Sequence, residues 1–446
     1  MPFQRPKRRS PERGPQSNSR PARPGRPGAR SNQAPARGPR HDSAGRPTGA
    51  PSRGPRHDPA GSPTGAPTPA GAPRRRAFVH QPTVDMSRPL FAVQTQPGVG
   101  QLLLAEINAT LQKPMLVAQR HVTQKDDMLL FHTDTNSKEL FNLRAAEDLF
   151  VVAARAFNIA PDQGGLKQIH ASVKNSMLVP TALRVFTLNG GRTPKITTFR
   201  VVTRVTGKQD FARKAVGIAV ADAVRDSWPG RWKLVEEEAD VEVWVTLFGS
   251  EIIVAIRLST GGMRHRINRI VDRPAALRPA IAAAMVRLSN PQPNDVFLDA
   301  MAGTGTIIAE RAAVGPFERL IAGDKSREAV KALSRNLASV GGDLAIRRLD
   351  ATDLPFQPGE INKLVTNLPF GKQVNNIDEL HQLYSGVCAE WARIVAPGGM
   401  IVALAAEIDV LREKINATPE LRVRGTFPIA VLGQTATIVQ LERRRM

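Results

Sequence analysis

Asn367-Leu368-Pro369-Phe370 has the form Asn-x-Pro-aromatic. An exocyclic amine on a purine is a poor nucleophile, because its lone pair is delocalised into the ring. Two acceptors aimed at its hydrogens, the Asn367 side-chain oxygen and the Leu368 carbonyl, would draw that nitrogen towards tetrahedral geometry. Pro369 directs the carbonyl through its locked φ. Phe370 offers a face on which a base taken out of its helix can stack. This chemistry needs no strong base, so positioning should dominate the rate. The plain structural alternative is a strand exit capped by Asn.

A second motif lies upstream, the turn Asp299-Ala-Met-Ala-Gly303-Thr-Gly305. Glycines here let backbone approach a ligand closely, although the third glycine of a dinucleotide fingerprint is missing. Asp324 follows 25 residues after Asp299, where a carboxylate suits both ribose hydroxyls. Asp350 ends the next strand and can accept from an adenine amine. Each feature alone is weak, and Asp324 by itself could be a helix cap. At successive strand ends they predict a site for S-adenosylmethionine built from Asp299, Ala302, Gly303, Thr304, Gly305, Thr306, Asp324, Lys325, Asp350, Ala351 and Asn367. No metal is expected.

These residues need a parallel sheet to hold them. From Arg273 onward strands alternate with helices: strands at 296–299, 320–324, 345–349, 363–366 and 400–405, helices at 275–288, to about 313, 327–340 and 380–395. That alternation predicts a doubly covered parallel sheet with its ligand beyond the carboxyl ends of the strands. Segments 422–431 and 435–441 read as a closing hairpin that adds an antiparallel strand.

The preceding part reads differently. Strands at 90–95, 115–117, 128–131 and 149–157, with helices at 101–111 and 137–143, give the β-α-β-β-α-β order of a ferredoxin-like unit. A helix at 166–177, a strand at 198–205, a helix at 211–226 and a hairpin of 239–247 with 250–258, turned at Phe248-Gly249, form a second unit. The expected domains are therefore 1–86, 87–165, 166–260 and 261–446.

Residues 1–86 are Pro, Gly, Arg, Ser and Ala with few large apolar side chains, too few to offset ordering entropy, so a disordered tail is expected. It repeats Arg37-Gly-Pro-Arg-His-Asp42 as Arg53-Gly-Pro-Arg-His-Asp58. Residues 1–76 hold 17 Lys/Arg against 3 acidic residues, which is +14 of the chain's +22. Both parts are basic, which favours a polyanionic partner. Arg264, Arg266, Arg269, Arg273 and Arg278 cluster before the catalytic segment and are expected to contact phosphates. The single cysteine, Cys388, excludes disulfide scaffolds and fits a reducing cytoplasm. No apolar run reaches the ~20 residues that span a bilayer.

The Asp299–Gly305 turn and Asn367-Leu-Pro-Phe-Gly371 resemble the cofactor and catalytic motifs of the Rossmann-fold RNA methyltransferases that make N2-methylguanosine. Phe91-Ala-Val-Gln-Thr-Gln-Pro-Gly98, the Phe199-Arg-Val entry and Asp240-Val-Glu-Val243 are similar to the ferredoxin-like and THUMP domains that precede such enzymes. The resemblance spans roughly residues 88–446. It implies an RNA substrate, tRNA ahead of rRNA, and the Leu between Asn and Pro looks more like members acting near guanosine 6 of the acceptor stem. A monomer is expected. A large-subunit rRNA guanine-N2 enzyme would share the architecture. So would an RNA-binding protein with an inert domain, against which the intact Asp299, Asp324, Asp350 and Asn367 argue.

Overall fold

The computed structural model describes residues 88–122, 126–265, 271, 276–370, 377–431 and 433–445. The tail, its repeat, Arg266, Arg269, Arg273 and Gly371 lie outside the described residues. The described residues belong to one compact unit, Phe78–Met446.

The first half begins with β1 (Phe91–Thr95), α1 (Gly100–Thr110), β2 (Met115–Val122), β3 (Asp126–His132), a 3-10 turn (Glu139–Asn142) and β4 (Asp148–Ala156). It continues through α2 (Gln163–Lys174), α3 (Val179–Leu188), β5 (Ile196–Thr206), α4 (Arg213–Ser227), β6 (Arg231–Leu234), β7 (Val241–Phe248) and β8 (Glu251–Arg257). The order β-α-β-β-α-β holds with one difference: the second helix is a single 3-10 turn. Helix α3, not expected from sequence, carries Pro180. It sits in the first turn, where its missing N–H has no partner to lose.

These strands make one sheet, ordered β2-β3-β1-β4-β8-β7-β5-β6. The seam is an antiparallel ladder between β4 and β8, with Val151 opposite Ile256. The strands of the two expected units thus share a sheet, and their apolar faces merge into one core. Phe248 and Glu251 close the β7–β8 hairpin around Gly249, which adopts φ +55.

A short helix, α5 (Gly261–Arg264), leads to α6 (Pro279–Leu288). Then follow β9 (Val296–Asp299), α7 (Thr306–Ala313), β10 (Arg319–Asp324), α8 (Arg327–Asn336), β11 (Leu344–Arg348), β12 (Ile361–Asn367), α9 (Ile377–Ile394), β13 (Val395–Ala405), α10 (Ile408–Asn416), β14 (Leu421–Val431) and β15 (Gln434–Arg443). The sheet order is β11-β10-β9-β12-β13-β15-β14. The first five strands are parallel and the closing hairpin is antiparallel. Leu380, Tyr384, Val387, Cys388 and Trp391 recur at helical spacing along α9 and are buried against the sheet.

The two halves are pinned together. The carbonyl of Pro97 accepts from the Ala430 backbone N–H at 3.0 Å. Arg144 meets the fully buried carboxylate of Glu310 at 2.7 Å. Gly98 sits at the contact with φ +86, and a Cβ there would lie 2.3 Å from the Pro428 carbonyl oxygen. Gly190 has a similar φ, +89, but open space around it. Gly190→Ala should therefore cost only the left-handed penalty of ~1–2 kcal/mol. Gly98→Ala should cost ~1–3 kcal/mol more from the clash. Thermal denaturation of the two variants side by side tests this.

Candidate active site

Four of the five parallel strands deliver one polar group to the carboxyl edge. Strand β9 ends on Asp299, β10 on Asp324 and β12 on Asn367, while Asp350 stands two residues beyond β11. The turn after β9 reverses sharply through two glycines, Gly303 at φ +55 and Gly305 at φ +87. Gly305 caps α7, and its N–H donates to the Ala302 carbonyl at 2.7 Å. Around Gly303 a Cβ would meet nothing within 4 Å, so this turn faces open space.

That space is a cleft of about 640 Å³, within the range for sites that enclose a small molecule. It brings together Gly303, Thr304, Asp324, Lys325, Asp350, Ala351, Asn367, Pro369 and Phe370 of the residues expected from sequence. Asp299, Ala302, Gly305, Thr306 and Leu368 do not line it; all five are buried. The cleft also has walls that the motifs did not mark. Met301 and Thr352 adjoin them, Ala276 and Leu277 precede α6, Glu379, Gln382 and Leu383 face in from α9, and Val431 ends β14. The 379/382/383 spacing of one helix face was readable. The arrival of Val431 from the closing hairpin was not.

The acidic groups differ in environment. Asp324 accepts from the Gly303 N–H at 3.0 Å with Oδ2 and from the Ser326 N–H at 2.9 Å with Oδ1, so it holds the glycine turn in place. Asp350 pairs with Lys325 Nζ at 2.8 Å and accepts from Thr352. The Lys325 bond, with Thr352, lowers its carboxyl to about 2. Asp299 is 1 % exposed. Burial pushes it up to about 7, against hydrogen bonds from Thr366 and the Met301 N–H, and the nearby Asp324 charge adds to the rise.

Asn367 carries the most telling atom. Its Oδ1 is buried and has no hydrogen-bond partner, a state that costs roughly 1–3 kcal/mol and calls for a ligand donor. The Leu368 N–H is tied to the Leu404 carbonyl at 2.9 Å, which fixes the strand exit. The open glycine turn, the two carboxylates at β10 and β11 and this orphaned acceptor fit an adenosyl cofactor beside an amine donor.

The two described arginines of the expected phosphate-binding cluster are used within the protein. Arg264 pairs with the buried Asp148 and lies 3.8 Å from Glu147, while Arg278 lies 3.4 Å from Glu147. Cys388 is buried, and its thiol is pushed up to about 12 by desolvation, so it is inert as a nucleophile. Among the described residues no group of His, Cys, Asp or Glu could hold a metal, and no helix is long and apolar enough to cross a membrane.

The Asp299 shift has a stability consequence. Its folded-state value lies above the ordinary 3.8, so the folded chain holds the proton more tightly than the unfolded one. Stability should fall as pH rises from about 4 to about 7 and level off above that. Asp299→Asn keeps an acceptor for both donors but cannot ionise. Melting temperatures of the native chain should therefore decline against those of Asp299→Asn across this window; parallel curves would contradict the assignment.

A family model described as an RMKL-like methyltransferase domain matches residues 266–431, and a THUMP domain model matches residues 186–257. The tRNA (guanine(6)-N(2))-methyltransferase THUMP3 of Bos taurus is 30% identical over 266 residues, 56% of this chain and 52% of that protein. The chain thus spans about half the length of that relative. The tRNA (guanine(6)-N2)-methyltransferase of Archaeoglobus fulgidus is 28% identical over 272 residues, 54% of this chain and 66% of that protein. The crystal structure of TrmN from Thermus thermophilus aligns with a TM-score of 0.64 at 23% identity, covering 80% of this chain and 99% of that one, a shared fold. The chain therefore joins a THUMP domain to an RMKL-like methyltransferase domain of Rossmann fold.

Proposed function

We propose that this protein methylates the exocyclic N2 amine of a guanosine in tRNA, with acceptor-stem guanosine 6 the preferred target and S-adenosylmethionine the cofactor. The observation that carries the reading is the buried, unpartnered Oδ1 of Asn367 on the wall of a cleft shared with Asp324 and Asp350. The names of the bovine and archaeal relatives support the base, the atom and the RNA.

S-adenosylmethionine supplies an electrophilic methyl. Asp324 would accept from the ribose hydroxyls and Asp350 from the adenine amine, with Gly303 allowing close approach of the turn. Asn367 Oδ1 accepts from one hydrogen of the guanine amine and the Leu368 carbonyl from the other, which localises the lone pair on nitrogen. Pro369 holds the carbonyl direction, and Phe370, half-buried at the cleft, stacks the base. Transfer would form the N–C bond as the sulfonium S–C bond breaks, release S-adenosylhomocysteine and shed one amine proton to solvent, so no base of high pKa is required and rate comes from alignment.

The division of labour follows the segments 87–165 as a ferredoxin-like domain, 166–260 for RNA, 261–446 for catalysis and 1–86 as a basic tail adding sequence-independent affinity. The protein acts as a monomer, without a metal, in the cytoplasm.

Incubation of unmodified tRNA and rRNA transcripts with the protein and S-adenosylmethionine, followed by nucleoside mass spectrometry, should give N2-methylguanosine in tRNA, mapped by digestion to position 6. Methyl in rRNA alone would move the substrate, and none in either would remove the activity. Asn367→Ala should lower turnover at least ~100-fold, by analogy with loss of one preorganised polar contact, while cofactor binding measured by calorimetry stays within a few-fold.

A further inference from the structure

The ends of β9 and β12 must be held at a fixed separation, because one bears the cofactor turn and the other bears Asn367. Their backbone ladder runs through Phe297–Lys363 and Leu298–Leu364 and goes no further. On its other side β12 stays paired with β13 through Asn367–Leu404. Beyond Leu364, the link from β12 back to β9 is a side-chain bond. Thr366 Oγ1 donates to Asp299 Oδ1 at 3.0 Å, and the same oxygen accepts from the Met301 N–H at 3.2 Å. Both Asp299, at 1 %, and Thr366, at 3 %, are sealed from solvent. One carboxylate oxygen therefore ties the cleft-lining turn at Met301 to the residue immediately before Asn367.

We infer that Thr366 is a positioning residue, whose hydroxyl, through Asp299, sets the distance between the methyl donor and the amine held by Asn367. This rests on the reading of Asn367 given above. Burial gives the bond its stiffness: water cannot replace a lost donor to a carboxylate this deep, so the strand ends must either stay joined or shift. Misplacement of about 1 Å is enough to cost roughly 100-fold in rate.

The test is steady-state kinetics of Thr366→Val, which keeps the side-chain shape and removes the donor. kcat should fall about 10–100-fold, with KM for S-adenosylmethionine and for tRNA changed less than about threefold. Thr366→Ser, which restores the hydroxyl, should recover most of kcat. A Thr366→Val kcat within about threefold of native, or a loss confined to KM, would overturn the inference. Should Thr366→Val fail to fold, Thr366→Ala and Thr366→Ser decide, since they differ only in the hydroxyl. A kcat at least ~10-fold lower in the alanine variant supports the role, and equal values refute it. The two claims fail separately. An active Asn367→Ala removes the reading beneath, whereas an inactive Asn367→Ala with a normal Thr366→Val removes only this inference.

Discussion

The parallel register of β10, β9 and β12 is the constraint on which the site depends. Pairing of Ala322 with Asp299 and of Leu298 with Leu364 aligns three strand ends on one edge. Asp324 and Asn367 then face one cleft without long-range adjustment, while Asp299 turns behind it to Thr366. A shift of one residue in any of these strands would turn its terminal polar group to the other face of the sheet. The buried apolar residues of the strands, Phe297, Leu298, Leu320, Leu364 and Val365 among them, resist such a shift. The core therefore sets the geometry of the chemistry, although it touches none of it.

The cleft has a graded electrostatic character that follows from depth. At its outer edge Asp350, paired with Lys325, stays ionised over the whole physiological range. Behind its wall Asp299 is so dry that ionisation is costly near neutrality. Asp324, between them, keeps its oxygens on backbone N–H groups. Carboxylates of one chemical type thus serve as surface ion-pair partner, loop clasp and internal strut. Asn367 adds an acceptor without a charge, which suits an amine that must remain neutral to attack.

The eight-stranded sheet and the seven-stranded sheet are joined through small, specific contacts. Arg264 and Arg278 give their charge to Glu147 and Asp148 at the head of β4, and the Pro97–Gly98 turn grips β14, whose last residue, Val431, walls the cleft. Partner removal at such buried ions is costly, so the two bodies hold their relation. An interface of this kind makes the sheet that would bind RNA part of the positioning apparatus of the cleft.

Local chemistry made much of this visible in the linear chain. Alternating strands and helices after Arg273 specify a parallel sheet, and glycines at 303 and 305 specify a left-handed turn that few other residues tolerate. The Asn-Leu-Pro-Phe motif is likewise local, since Pro369 sets its own backbone. Four elements escaped that reading, among them the four-residue α5, and for the other three the reason is physical. Helix α3 opens on a proline, β6 has only four residues, and α10 is a short, mostly polar helix whose buried side is Leu411 and Ile415. Only the tertiary structure decided that Asp299 faces Thr366 and lies behind the cleft, that Val431 and α9 complete its walls, and that two arginines legible as phosphate contacts are spent on buried acids. These outcomes depend on which strands become neighbours and how deeply each carboxylate is sealed. Sequence spacing carries neither quantity, because burial is a property of everything that packs around a residue.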